Sequence, residues 1–277
     1  GNWLYIPQDF RLVIQEGVVL NFAPSFGIIS KGAIMINGTT DNPVVLRGSD
    51  RKKSKGSWQG ILVSDTKNSS VWSHVTIENT TGINTGGWSL TGGTTFYQAD
   101  VVLDNATFSG NLCEDSLNIV RSNFELNGVN ISNALSDGFD SDFSKGTVTK
   151  GTFKNIGLIG GGDAIDLSGT TMKITGTKFM NIGDKAISVG ENSTLIGTKL
   201  FIENVVAGVV SKDGSHVSLE NTSIKGFKVA PIMTYIKKHE FGPATIVANH
   251  IKADGIPDSI IAENESQGII DGIEVPT

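Results

Sequence analysis

The sequence predicts an all-β fold, a single-stranded right-handed parallel β-helix with about 22 residues per coil. Three observations lead there. The first is an internal repeat. The apolar residues Leu117, Phe139, Ile165, Ile187 and Val209 are separated by 22, 26, 22 and 22 residues, and Ile131, Phe153, Phe179, Phe201 and Ser223 repeat those intervals. The second is alternation of apolar and polar residues within each unit, the period of a strand with one face buried. The third is composition. The chain is rich in Gly, Asn, Ser, Thr, Ile and Val and has only 7 prolines, which suits short strands joined by turns in left-handed conformations. A unit of about 22 residues cannot bury its apolar face alone, so it must stack on its neighbours.

Taken in order, residues 1–277 read as one domain. Residues 1–112 form less regular N-terminal coils, with Gly17, Gly32 and Gly38 at turns and a basic excursion, Arg-Lys-Lys-Ser-Lys-Gly at 51–56, as an exposed loop. Residues 113–227 hold the regular coils. Their one long interval fits a four-residue insertion at Leu158 to Gly161. Residues 228–277 break the period near Tyr235 and end in a last coil or cap, since solenoid ends need covering.

Composition also excludes. A net charge of −6 argues against a nucleic-acid partner. No apolar run reaches the length of a membrane span, so no membrane insertion is expected. The single cysteine, Cys113, rules out a disulfide framework and reads as a small buried apolar residue. The four histidines form no metal-spaced pair. Trp58, Trp72 and Trp88 suit either the core or stacking on sugars.

The informative stretch is Ser136 to Lys145, Ser-Asp-Gly-Phe-Asp-Ser-Asp-Phe-Ser-Lys. Alternation turns Phe139 inward, with Phe143 a second near-core anchor, and turns Asp140 and Asp142 outward. Stacking then makes columns. One reads Asn118, Asp140, Asp166, Ser188, Val210. The next reads Val120, Asp142, Ser168, Gly190, Lys212. A third, before the strand, reads Asp115, Asp137, Asp163, Lys185, Ala207. Glu114 and Asp184 precede members of the third column, and Glu191 and Asp213 follow the strand. The acids therefore converge on one exposed face. Like charges on adjacent rungs repel, so a cation, a lysine or a raised pKa must relieve Asp140 and Asp166. Lys185, stacked on Asp163, is the nearest counter-charge.

Three readings fit that face. It can be a solvated acidic surface. It can bind Ca²⁺ through hard oxygens, with Glu114, Asp115 and Asp142 as metal candidates beside the central aspartates. It can be a catalytic carboxylate site on a glycan, with Asp137, Asp140, Asp163, Asp166 and Lys185 as catalytic candidates. Asn118, Arg121, Ser188 and Lys212 line the same columns or their edges. Tyr235 and Lys237 belong to a basic-aromatic loop suited to an acidic polymer. These six are substrate-binding candidates.

The order of these segments resembles polygalacturonases, within the pectate-lyase-like superfamily of right-handed β-helices. Ser-Asp-Gly-Phe-Asp matches the Asp-Gly-x-Asp part of the family's first motif, with Asp137 in the catalytic aspartate's place. Gly-Gly-Asp-Ala-Ile-Asp lies where the family has Asp-Asp, and Asp163 remains of that pair. Gly-Asp-Lys-Ala-Ile-Ser-Val-Gly resembles the Gly-His-Gly segment, with Lys185 replacing the histidine. Ser-Lys-Asp-Gly-Ser stands near Arg-Ile-Lys without its arginine. Alginate and pectate lyases of the superfamily resemble this chain in pairing Ca²⁺-binding acids with a basic residue. The resemblance implies a polysaccharide, expected to be acidic, as partner, cleaved by hydrolysis or by Ca²⁺-assisted elimination with Lys185 as base. The alternative is a non-catalytic polysaccharide-binding, adhesion or structural domain of a surface protein. Either way the expected location is secreted or at the cell surface. The sequence sets no oligomeric state.

Overall fold

In a computed structural model of the chain, residues 2–49, 58–253, 259–263 and 265–276 are described. The basic run at 51–56 lies outside the described residues. The chain winds into a right-handed parallel β-solenoid of about 11 turns with ~23 residues per turn. Each turn gives one strand to each of three faces. One face runs through Gly92–Tyr97, Asp115–Val120, Asp137–Asp142, Ile165–Ser168 and Lys185–Gly190, and it is the acidic one. A second runs through Thr107–Ser109, Asn130–Ala134, Thr152–Ile156 and Lys178–Ile182. The third contains Asn123–Asn127, Lys145–Thr149, Thr171–Thr175 and Thr194–Thr198. Near the C-terminal end the first two faces merge in the long strands Phe201–Lys212 and Ser223–Tyr235. Among the described residues, antiparallel pairing appears only at Asn84–Thr85 with Trp88–Ser89, and at the hairpin of Gln267–Ile270 with Ile273–Glu274.

The interior is a continuous apolar column. Phe139, Ile165, Ile187 and Val209 stack in register, all fully buried. Phe153 and Phe179 lie face to face, 5.2 Å between centroids, and Phe124 meets Phe139 edge-on at 5.4 Å. Trp58 and Trp72 are wholly buried, each donating its indole N–H to a backbone carbonyl, while Trp88 is half exposed. Cys113 is buried, and burial pushes its thiol up to about 11, so it stays protonated and unreactive.

Polar ladders replace core packing at two turns. Asn133, Asn155, Asn181 and Asn204 are all left-handed, and each side-chain amide donates to the preceding one at 2.9–3.2 Å. At another corner Ser122, Ser144, Thr170, Ser193 and Ser215 accept, through their hydroxyls, the backbone N–H from the preceding coil. Buried turn N–H groups need such partners.

Two expectations change. The second apolar series runs Phe153, Phe179, Ile202, Ile224, not through Phe201 and Ser223. One extra residue enters at the left-handed pair Glu191 and Asn192, and it moves the following strand by one position. Phe143 is not a core anchor: it is 61% exposed. It sits in a left-handed turn (φ 50°), where strand alternation no longer applies. Leu158 to Gly161 is an outward excursion as expected, with Leu158 and Ile159 exposed.

Candidate active site

Parallel pairing in register places the acids. Asp115 pairs with Asp137, Asn118 with Asp140, and Asp140 with Asp166; Ser188 follows on the next rung. Adjacent strands are about 4.8 Å apart, so these side chains are near neighbours although 22 to 26 residues separate them in sequence. Asp142 lies in the parallel column that runs from Val120 through Ser168 to Gly190.

This face is covered rather than exposed, contrary to the sequence expectation. Asp115, Asn118, Asp163 and Ser188 are buried, and Asp137, Asp140, Asp142 and Asp166 are partly exposed. Stacking at strand spacing lets each side chain shield the one below. The Asn118 amide illustrates it: it lies between two carboxyls, donating to Asp140 Oδ2 at 3.1 Å and to Asp115 Oδ2 at 3.4 Å. A second chain of contacts runs beside it. The Asp163 backbone N–H donates to Asp137 Oδ1, and the Lys185 backbone N–H donates to Asp163 Oδ1, both at 2.9 Å.

Burial and mutual repulsion decide the protonation. Burial first, then the charges of Asp115, Asp142, Asp166 and Asp137, push the Asp140 carboxyl up to about 9. Burial raises Asp115 to about 7 against a hydrogen bond from Thr91. Burial also raises Asp163 to about 7, outweighing the attraction of Lys185. Asp137 and Asp142 are raised for the same first reason. Asp140 therefore carries a proton at neutral pH.

The lysines are held by specific acids. Lys185 Nζ lies 2.5 Å from Asp184 Oδ2 and 3.4 Å from Asp163 Oδ1. Burial alone would lower its pKa, but Asp163 and Asp184 together outweigh burial and hold it above the ordinary lysine value. Lys212 sits on the rung after Gly190 and reaches back across it. A Cβ on Gly190 would come within 2.8 Å of Lys212 Cε, and the ammonium ends 3.9 Å from Asp166 Oδ1. That oxygen and the Ser188 hydroxyl on the next rung are both buried and have no hydrogen-bond partner in the protein.

The remaining candidates sit at the edges. Arg121 turns out of the cluster and lies over the Phe143 ring. Glu114 is exposed, and its backbone carbonyl accepts from Asp137. Tyr235 pairs with Lys212 on the adjacent strand. Burial raises its hydroxyl pKa, although Lys185 opposes this. Lys237 contributes its backbone N–H. With that of Lys238 it donates to the buried Asp213 Oδ1, at 2.7 and 2.6 Å, tying the 236–242 loop to the end of the face. Lys238 also ion-pairs with Glu191. The role of Asp213 was visible in sequence only as an acid just past the strand, because its partners are backbone groups.

Among the described residues no group of three or more His, Cys, Asp or Glu side chains is arranged to hold a metal ion. Calcium needs six to eight oxygens. Here the Asn118 amide, backbone N–H groups and Lys185 already occupy oxygens of Asp115, Asp137, Asp140 and Asp163.

No protein-family model and no curated protein matches the sequence. Among solved structures, the Agl-KA catalytic domain aligns with a TM-score of 0.52 at 13% identity, covering 96% of this chain and 62% of that one. That likeness is one of fold, a parallel β-helix. Two other β-helix structures align more loosely. The catalytic unit of a thermostable GH87 α-1,3-glucanase from Streptomyces thermodiastaticus strain HF3-3 gives a TM-score of 0.46 at 13% identity, over 91% of this chain and 64% of that one. An alginate lyase from Paenibacillus sp. str. FPU-7 gives 0.34 at 10%, over 96% and 99%. This β-helix thus spans a little over three fifths of the first two chains.

Proposed function

We propose that this β-helix hydrolyses glycosidic bonds of an extracellular polysaccharide, with Asp140 as general acid and Asp166 as general base. The observation that carries the reading is the pairing of unlike carboxyls on adjacent rungs. Asp140 keeps its proton at neutral pH, whereas Asp166 faces the Lys212 ammonium. In the step, the Asp140 O–H protonates the glycosidic oxygen as the sugar carbon–oxygen bond breaks. A water adds its hydroxyl to the anomeric carbon and gives its proton to Asp166.

Elimination fits less well. It needs a neutral base beside the sugar carboxylate, yet Asp163 and Asp184 hold Lys185 protonated, and the Tyr235 hydroxyl is also raised. Lys185 and Lys212 are each already paired with carboxylates of this face, so neither is free to bind the carboxylates of a uronate chain. The reading therefore favours an uncharged glycan over an acidic one, met by a protein that is secreted or at the cell surface.

The test is incubation with neutral and acidic polysaccharides, with and without a chelator. New reducing ends without unsaturation, insensitive to chelation, are expected on a neutral polymer. Unsaturated ends would replace hydrolysis by lyase chemistry, and chelator-sensitive activity would restore calcium to the site. Binding without cleavage across the panel would leave a non-catalytic glycan-binding domain.

A further inference from the structure

The acidic strands all leave through the same kind of turn. The residue after each strand is left-handed, at Gln98, Arg121, Phe143, Gly169, Glu191 and Asp213, with φ between 49° and 60°. Five of the six are polar, charged or glycine. Phe143 alone is a large apolar side chain, and left-handed backbone is costly for a bulky residue. Burial does not offset that cost, because the ring is 61% exposed. A strained, exposed aromatic beside an active site calls for a functional reason.

Its surroundings supply one. Phe143 directly follows Asp142, so the ring stands at the rim of the carboxyl cluster. The ring extends along the solenoid toward the next coil, where Gly169 makes room: a Cβ there would come within 2.7 Å of the ring. On the preceding coil the Arg121 guanidinium lies over the ring, 5.7 Å from its centroid. Together they form an amphipathic shelf, apolar carbon beside a fan of N–H donors. A pyranose presents the complementary surface, with a C–H face for the ring and hydroxyl oxygens for the guanidinium.

We propose that Phe143, with Arg121, is the platform that seats one sugar ring of the glycan next to the acidic cluster. The platform rests on the glycan reading above but not on cleavage, and binding separates the two. The assay is affinity electrophoresis of the Asp140→Asn protein through gels cast with dextran, mixed-linkage β-glucan, galactomannan or alginate. Retardation is expected in at least one neutral gel. Adding Phe143→Ala should weaken that binding roughly 5–30-fold, and Phe143→Trp should retain it. Phe143→Asn should weaken it equally while raising the melting temperature, because asparagine accepts the left-handed turn. Weaker binding in a more stable protein is a result that misfolding cannot produce. In the active protein, the loss should appear in KM with kcat little changed. Equal retardation with and without Phe143, or no retardation of the Asp140→Asn protein in any gel, would overturn the proposal. Loss of retardation confined to alginate would keep the platform and refute the neutral substrate.

Discussion

Replacing Asp140 by asparagine tests the site through two independent readouts. The carboxyl titrates near 3.8 when unfolded and is pushed up to about 9 in the fold. The folded state thus holds the proton more tightly than the unfolded chain. The stabilisation from this group is complete below about pH 4 and is lost as pH rises toward about pH 9. Within that window each pH unit costs up to about 1.4 kcal/mol. From pH 5 to pH 7 the ceiling is about 2.7 kcal/mol. Solvent reaches one side of the carboxyl, which reduces the expected loss to about 1–2 kcal/mol. For a chain of this size that is about 2–8 °C in Tm. Asparagine has no charge to strand, and it keeps the contact with Asn118 if its amide turns its oxygen toward the Asn118 N–H. The variant should therefore melt at nearly the wild-type temperature at pH 5 and above it at pH 7, while kcat falls about 10²–10⁴-fold for want of a proton donor. Circular dichroism melts at pH 5, 6, 7 and 8, with initial rates of reducing-end release, measure both. Parallel Tm profiles for the two proteins would mean that Asp140 ionises normally, and its role as general acid would fall with that result.

Other perturbations probe the supporting residues. Lys185→Met strands Asp163, so it should destabilise by about 1–3 kcal/mol above pH 7 and much less near pH 5, read from denaturant melts at the two pH values. Lys185→Arg should keep most activity, and its inactivity would favour a proton-transfer role for the lysine. Gly190→Ala should push Lys212 off Asp166 at a stability cost of about 1–3 kcal/mol, as for other overpacked sites, and lower kcat several-fold, matching Lys212→Met; full activity in both variants would remove Lys212 from the site. Asn181→Ala breaks two ladder hydrogen bonds at a left-handed position, so a loss of about 1–3 kcal/mol is expected, with Asn181→Gly costing less because glycine tolerates the backbone.

The solenoid and the neighbours within the acidic face were legible in the order of residues alone. Both follow from local rules: a strand has period two, and a repeat of 22 residues stacked in register puts Asp140 on Asp166 and Lys185 beside Asp163. Those rules fail where a turn changes length or handedness. The additional residue at Glu191–Asn192 moved the apolar anchor from Phe201 to Ile202, and the left-handed turn at Phe143 sent an expected core residue into solvent. Depth was also a tertiary matter. No spacing reveals that Asn118 lies between Asp115 and Asp140, or that Lys212 bends over Gly190 toward Asp166. Protonation follows depth, because the energy of a charge depends on how much water its neighbours leave around it. The chain order could place the carboxyls together, but only the packed coils decided which of them keeps its proton.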